Sequence, residues 1–152
     1  MQLDNTRFGT IEFQDGDVVT LPEGMVGFPQ WTRFVLVQTR EGSPFRWLQS
    51  VEDPSLAFLL ADPSAYCPEY APEVPDAAAR ALALTEETPC LLLVTAAIPR
   101  GRPEDMTLNL AAPVVINLET RVGAQVILEN EAYTMKHRVF EQAPQPAGTK
   151  AA

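Results

Sequence analysis

Val114-Val115-Ile116-Asn117-Leu118-Glu119-Thr120-Arg121-Val122-Gly123-Ala124-Gln125-Val126-Ile127-Leu128 is the stretch whose reading decides the fold. Two apolar runs, residues 114–118 and 124–128, flank a short loop at 119–123 that contains a glycine. Strand-forming runs joined by so short a loop read as a β-hairpin. Val114-Val115-Ile116 is continuous rather than alternating, and so is Leu91-Leu92-Leu93-Val94. Continuous runs imply strands covered on both faces, as a curled or closed sheet requires.

Working outward, further short runs rich in β-branched and aromatic residues predict strands at residues 10–13, 18–21, 34–37, 46–51, 57–61, 91–96 and 106–110. Asp15-Gly16 and Glu23-Gly24 mark turns between them. Leu108 and Leu110 alternate with Asn109, which leaves that strand one wet face. One short helix is expected over 77–84, rich in strong helix formers, with Asp76 as its cap. Pro75 before it and Pro89 after it keep it short. Prolines 54, 63, 68, 72 and 75 make residues 63–75 an ordered excursion outside any sheet ladder. The class is mostly β: a small antiparallel barrel or sandwich in a single domain, residues 1–140, with one short helix. Residues 141–152, rich in Pro, Ala and Gln, are expected to form a disordered tail.

The 152 residues, 46% of them hydrophobic, suffice for one domain with its own core. The formal net charge is -9. Nine acids and two bases between residues 41 and 90 supply seven of the excess negative charges (9 - 2 = 7). That balance argues against binding a phosphate backbone, which needs clustered Lys and Arg, and suits a basic partner. Residues 1–13 hold no apolar signal-peptide core, and no run approaches the length of a membrane span. A cytoplasmic protein with no membrane contact is expected. Cys67 and Cys90 then read as reduced, mostly buried thiols.

No pattern points to catalysis. His137 stands alone between Lys136 and Arg138, without a nucleophile signature around it. Glu52-Asp53 and Glu104-Asp105 neighbour prolines, as turn residues do. One histidine and two distant cysteines make no zinc motif, and no phosphate-binding glycine loop occurs. Catalytic, cofactor and metal residues are all expected to be absent. The aromatics Trp31, Phe34, Phe45, Trp47 and Phe58 lack a basic stripe, so they read as core rather than as a stacking platform for nucleic acid. A rival reading, a hydrolase or metal enzyme built on Glu and Asp clusters, requires a concave pocket of converging carboxylates.

Several segments carry more than folding requires. Glu23-Gly24-Met25-Val26-Gly27-Phe28 is similar to a "GxxGF" turn, and Ser43-Pro44-Phe45-Arg46-Trp47-Leu48-Gln49-Ser50 to "SPFxWLQS". Met106-Thr107-Leu108-Asn109-Leu110-Ala111-Ala112-Pro113-Val114-Val115-Ile116-Asn117 resembles "MTxNLxAPIxIN". Arg121 to Leu128 resembles "RxGxQVIL", and Tyr133 with Lys136-His137-Arg138 a terminal "YxxRH". In this order they resemble the flagellar assembly factor family, FliW. The chain departs from the pattern at Asp62-Pro63-Ser64, where the family often has Asn-Pro-Phe, and residues 64–105 match weakly.

The resemblance implies a small β-barrel-like fold and no enzyme activity. It also implies two protein partners, flagellin and the RNA-binding translational repressor CsrA. While flagellin occupies the protein, CsrA represses flagellin synthesis; once flagellin is exported, the freed protein antagonises CsrA allosterically. A flagellin chaperone that never touches CsrA is the alternative. The acids and the aromatic of the proline-rich excursion, Glu69, Tyr70, Glu73 and Asp76, are expected at the CsrA contact. Exposed members of the segment from Met106 to Asn117, with Met106 and Asn109 foremost, are expected to face flagellin. Phe45, Trp47, Leu48, Phe58, Leu108, Leu110 and Ile116 read as core.

Overall fold

Strand β9 (Val114–Asn117) pairs antiparallel with β10 (Val122–Gln125), placing Gly123 opposite Ile116. This hairpin belongs to a computed structural model that describes residues 1–140. Its other elements are β1 (Gln2–Thr6), β2 (Gly9–Glu12), β3 (Val18–Thr20), β4 (Arg33–Val37), β5 (Phe45–Ser50), β6 (Ala57–Ala61), α1 (Asp76–Ala81), β7 (Cys90–Ala97), β8 (Thr107–Leu108) and β11 (His137–Arg138). Strands β7, β6, β5, β4, β3, β10 and β9 follow one another in the sheet, and β9 pairs back onto β7. The result is a closed seven-stranded barrel. An odd ring cannot alternate direction all the way round. The unavoidable parallel neighbours are β3 and β10, joined where Val122 faces Thr20. A hydrogen bond of 2.9 Å from the Thr20 amide to the Arg121 carbonyl closes that seam.

The continuous apolar runs are covered on both faces, for the reason their pattern gives. Val114 and Ile116 point into the barrel with Val19, Leu21, Phe34, Leu48, Leu60 and Leu93. Val115, between them, points outward and packs under α1 with Leu82 and Val126. Likewise Leu91 and Leu93 serve the interior, while Leu92 and Val94 serve two different outer layers. The second outer layer buries Ala61, Cys67, Met106, Leu108 and Leu110 beneath the proline-rich excursion and the C-terminal segment.

Local chemistry accounts for the remaining motifs. Gly24 turns at φ +69°, where a Cβ would strike the Phe28 carbonyl oxygen, so only glycine fits. Gln49 is fully buried, and its amide nitrogen donates to the Pro54 and Leu56 carbonyls, each at 3.1 Å, fastening the β5–β6 turn.

Four expectations are corrected. The hairpin loop is Leu118 to Arg121, with Arg121 taking the positive φ (61°), so Gly123 lies in the strand. It is glycine because a Cβ there would lie 2.7 Å from the Val115 carbonyl oxygen. The helix starts at Asp76, with Pro75 at the capping position and no side-chain cap, and ends at Ala81, near Ala83 at φ 57°. The strand expected over 106–110 shrinks to Thr107–Leu108. Cys67 is buried and Cys90 exposed, both as free thiols. Strands β1 and β11 carry no apolar alternation and were not anticipated; both are edge strands held by a neighbour. The tail expected over 141–152 lies outside the described residues. Among the described residues no helix is long and apolar enough to cross a membrane.

Candidate functional site

The excursion after β6 is built by short-range hydrogen bonds because its prolines cannot join a ladder. The Asp62 carboxylate accepts from the Ser64 amide (3.0 Å) and hydroxyl (2.7 Å), starting a 3₁₀ turn at Pro63. The Tyr70 amide donates to the Cys67 carbonyl at 2.9 Å. Tyr70 then turns inward. Its hydroxyl donates to the Leu110 carbonyl at 2.7 Å, and its ring meets Tyr133 edge-on at 4.8 Å. Past the excursion, α1 lies on the outer face of β9 and β10 through Ala78 and Leu82. Asn117 anchors it, donating from its amide nitrogen to the Leu82 carbonyl at 2.8 Å.

This packing leaves an open groove of about 1060 Å³ between the start of α1 and the segment after β10. Glu73, Asp76, Glu86 and Glu129 line it, with Tyr133, Val74 and Leu128 as its less polar surfaces. All four carboxylates are exposed, and among the described residues no Lys or Arg shares the lining. Such a groove concentrates negative potential over a partly apolar floor, which attracts a basic protein surface. It is not a closed reaction pocket. Among the described residues no group of three or more His, Cys, Asp or Glu is placed to hold a metal ion. The barrel interior is filled by side chains.

The sequence profile of the FliW protein family matches residues 2–139. A flagellar assembly factor FliW of Magnetococcus marinus is 42% identical over 132 residues, covering 86% of this chain and 80% of that one. One from Caldanaerobacter subterraneus subsp. tengcongensis is 36% identical over 143 residues, covering 93% and 95%. A crystal structure of the flagellar assembly factor FliW superposes with a TM-score of 0.85 at 38% identity, over 93% of this chain and 98% of that one. The chain belongs to the FliW family.

Within this FliW-family barrel the residues singled out from sequence do not share one place. Glu73 and Asp76 share the groove. Glu69 is exposed on the excursion outside it, close enough to Cys67 to add to the burial that pushes the Cys67 thiol up. Tyr70 does not line the groove but props Tyr133, which does. Met106, expected to face a partner, is only 2% exposed and packs in the second outer layer, so it acts through packing. Asn109 is half-buried, and its side-chain oxygen accepts from the Ala111 amide at 3.1 Å, fixing the turn after β8. Sequence reasoning missed Glu86, Glu129, Asn130 and Tyr133 as groove residues. Tyr133 stood in a recognised motif; the two acids gave no signal beyond overall charge.

The Tyr70 hydroxyl has a pH signature. Burial, with Tyr133 and Cys67 adding to it, pushes this phenol above its ordinary range. In the unfolded chain tyrosine ionises near pH ~10. Above that the unfolded state releases a proton that the folded state keeps. The contribution is therefore complete below about pH 10 and declines as pH rises further. Tyr70→Phe should lose about 1 kcal/mol at neutral pH from the missing hydrogen bond. It should also show a smaller alkaline decline than the parent in urea unfolding between roughly pH 9 and pH 11. Parallel declines would mean that Tyr70 ionises freely.

Proposed function

We propose that this chain works in the cytoplasm by holding other polypeptides rather than by catalysis, coupling flagellin export to flagellin synthesis. In this reading it binds flagellin before export. Once released, it binds the translational repressor CsrA and relieves repression without competing at the RNA site. Family membership supports the flagellar role. The observation that carries the CsrA step is the groove of Glu73, Asp76, Glu86 and Glu129, unopposed by a base among the described residues of its lining. An RNA-binding repressor presents basic surfaces, and complementary charge speeds encounter and filters partners. Affinity then depends on a small aromatic and apolar centre, here Tyr133, Val74 and Leu128.

The double variant Glu73→Lys with Asp76→Lys tests this. Both side chains are exposed, so the barrel should melt as the parent does. Calorimetric titration should show CsrA affinity reduced by roughly tenfold or more at low salt, with a smaller difference at high salt. Flagellin binding should persist. Unchanged CsrA affinity in the folded variant removes the groove from the reading. A parent chain that retains flagellin but never CsrA is the chaperone alternative.

A further inference from the structure

The chain's net charge is -9, yet one edge of the fold runs the other way. Residues 98–105, between β7 and β8, and residues 135–140, which carry β11, hold four bases, Arg100, Arg102, Lys136 and Arg138, against two acids, Glu104 and Asp105. Strand pairing brings the two segments together: Ala97, Thr107 and Arg138 stand abreast on β7, β8 and β11. The Arg138 guanidinium reaches Oδ1 of Asp105 at 2.9 Å, and the Arg102 guanidinium takes Oδ2 of the same carboxylate. All four basic residues are exposed, as are Ile98 and Met135 next to them in the chain. We propose that this edge docks an acidic segment of a different protein, whose carboxylates the arginines grip as they grip Asp105.

The Asp105 contacts show the chemistry that fits. Each guanidinium carries five N–H donors in a planar fork, so two of them offer more than one carboxylate can accept. Donors are left over for further carboxylates. A phosphate backbone is the poorer fit. It calls for clustered bases, and Glu104 and Asp105 interrupt this cluster. Arginine and methionine are enriched at protein–protein contacts, whereas lysine is depleted. Here three of the four bases are arginine, and Met135 is 67% exposed. The overall negative charge does not forbid an acidic partner. At physiological salt, exposed charges more than about 8 Å apart are largely screened, so the local balance decides. None of the charged side chains of this edge lines the acidic groove, so the contact is independent of the groove and of CsrA.

Fluorescence anisotropy on the full-length protein tests this with a short labelled peptide of aspartate, glutamate and leucine. Its controls are the same peptide with asparagine and glutamine in place of the acids, and a uridine oligonucleotide of equal length. At about 0.1 M salt the acidic peptide should bind roughly tenfold or more tighter than its amide counterpart. Arg102→Glu with Arg138→Glu should abolish that difference. Arg33→Glu with Arg40→Glu, the same change of net charge at exposed positions elsewhere, should leave it in place. Should the first pair fail to melt as a barrel, Arg100→Glu with Lys136→Glu, which breaks no ion pair among the described residues, should reduce the difference at least about threefold. Equal binding of the two peptides, an equal loss in the variants at the edge and at Arg33 and Arg40, or binding of the oligonucleotide alone overturns the proposal. So does sedimentation in which the parent self-associates and the Arg102→Glu, Arg138→Glu variant stays monomeric, since the occupant is then a second copy of this chain.

Discussion

Phe34→Ala is expected to lower the free energy of unfolding by about 3–5 kcal/mol, the largest loss among single substitutions in the barrel. Phe34 is wholly buried at the centre of the interior, with Val19, Leu48, Leu60, Leu93 and Ile116 around it. Its ring meets Phe58 edge-on at 6.2 Å, and Phe58 in turn meets Phe28 at 5.1 Å near the barrel end. Removing the ring costs its transfer from water and leaves a cavity. Strand β4, which carries Phe34, is paired to β3 on one side and β5 on the other, so the wall cannot collapse inward to refill the space. A domain of this size has about 5–15 kcal/mol in total, so the variant should be barely stable at 37 °C. Urea unfolding checks the figure, with the midpoint falling and the slope unchanged. A folded variant that loses under about 1 kcal/mol would mean that the interior is loosely filled, and would reopen the possibility of a ligand cavity.

Much of this barrel was legible because burial on two faces writes a distinct pattern. Val114, Val115 and Ile116 must all be apolar when the first and last fill a barrel and the middle one seats a helix. The same logic reads Leu91 to Val94. Edge elements were not legible. Gln2–Thr6 is polar, and β11 is two residues long; each is a strand only because a neighbour offers it an edge. Gly123 looked like a turn residue because sequence shows that a glycine is needed, not whether φ or close approach demands it. The groove was half legible. Glu73 and Asp76 lie on a proline-rich stretch that had to leave the sheet, whereas Glu129 and Tyr133 arrive from more than fifty positions away. Met106 keeps step with Leu108 and Leu110, so the alternation that leaves Asn109 half-exposed already places it on the covered face, where the three pack together.

Asn117 separates the stability of the barrel from the shape of the groove. It is 1% exposed, and its two ends do different work. The side-chain oxygen accepts from the amides of Glu119 (2.8 Å) and Thr120 (3.2 Å), capping the β9–β10 turn. The amide nitrogen donates to the Leu82 carbonyl, just past the end of α1. Asn117→Ala strands donors and an acceptor together and should cost about 2–4 kcal/mol, since each group left unpaired in the interior carries its own desolvation penalty. Asn117→Asp keeps an oxygen for the turn amides but sets a carboxylate against the Leu82 carbonyl. Its loss should therefore concentrate on α1. Hydrogen exchange should show α1 amides opening faster while β9 and β10 stay protected. Because Asp76 opens α1 and lines the groove, the proposed CsrA contact predicts an affinity that falls in step with that loosening, although no groove side chain has changed. If exchange in α1 rises while CsrA binding holds, the helix is a cover for Val115 and the partner contact lies elsewhere on the barrel.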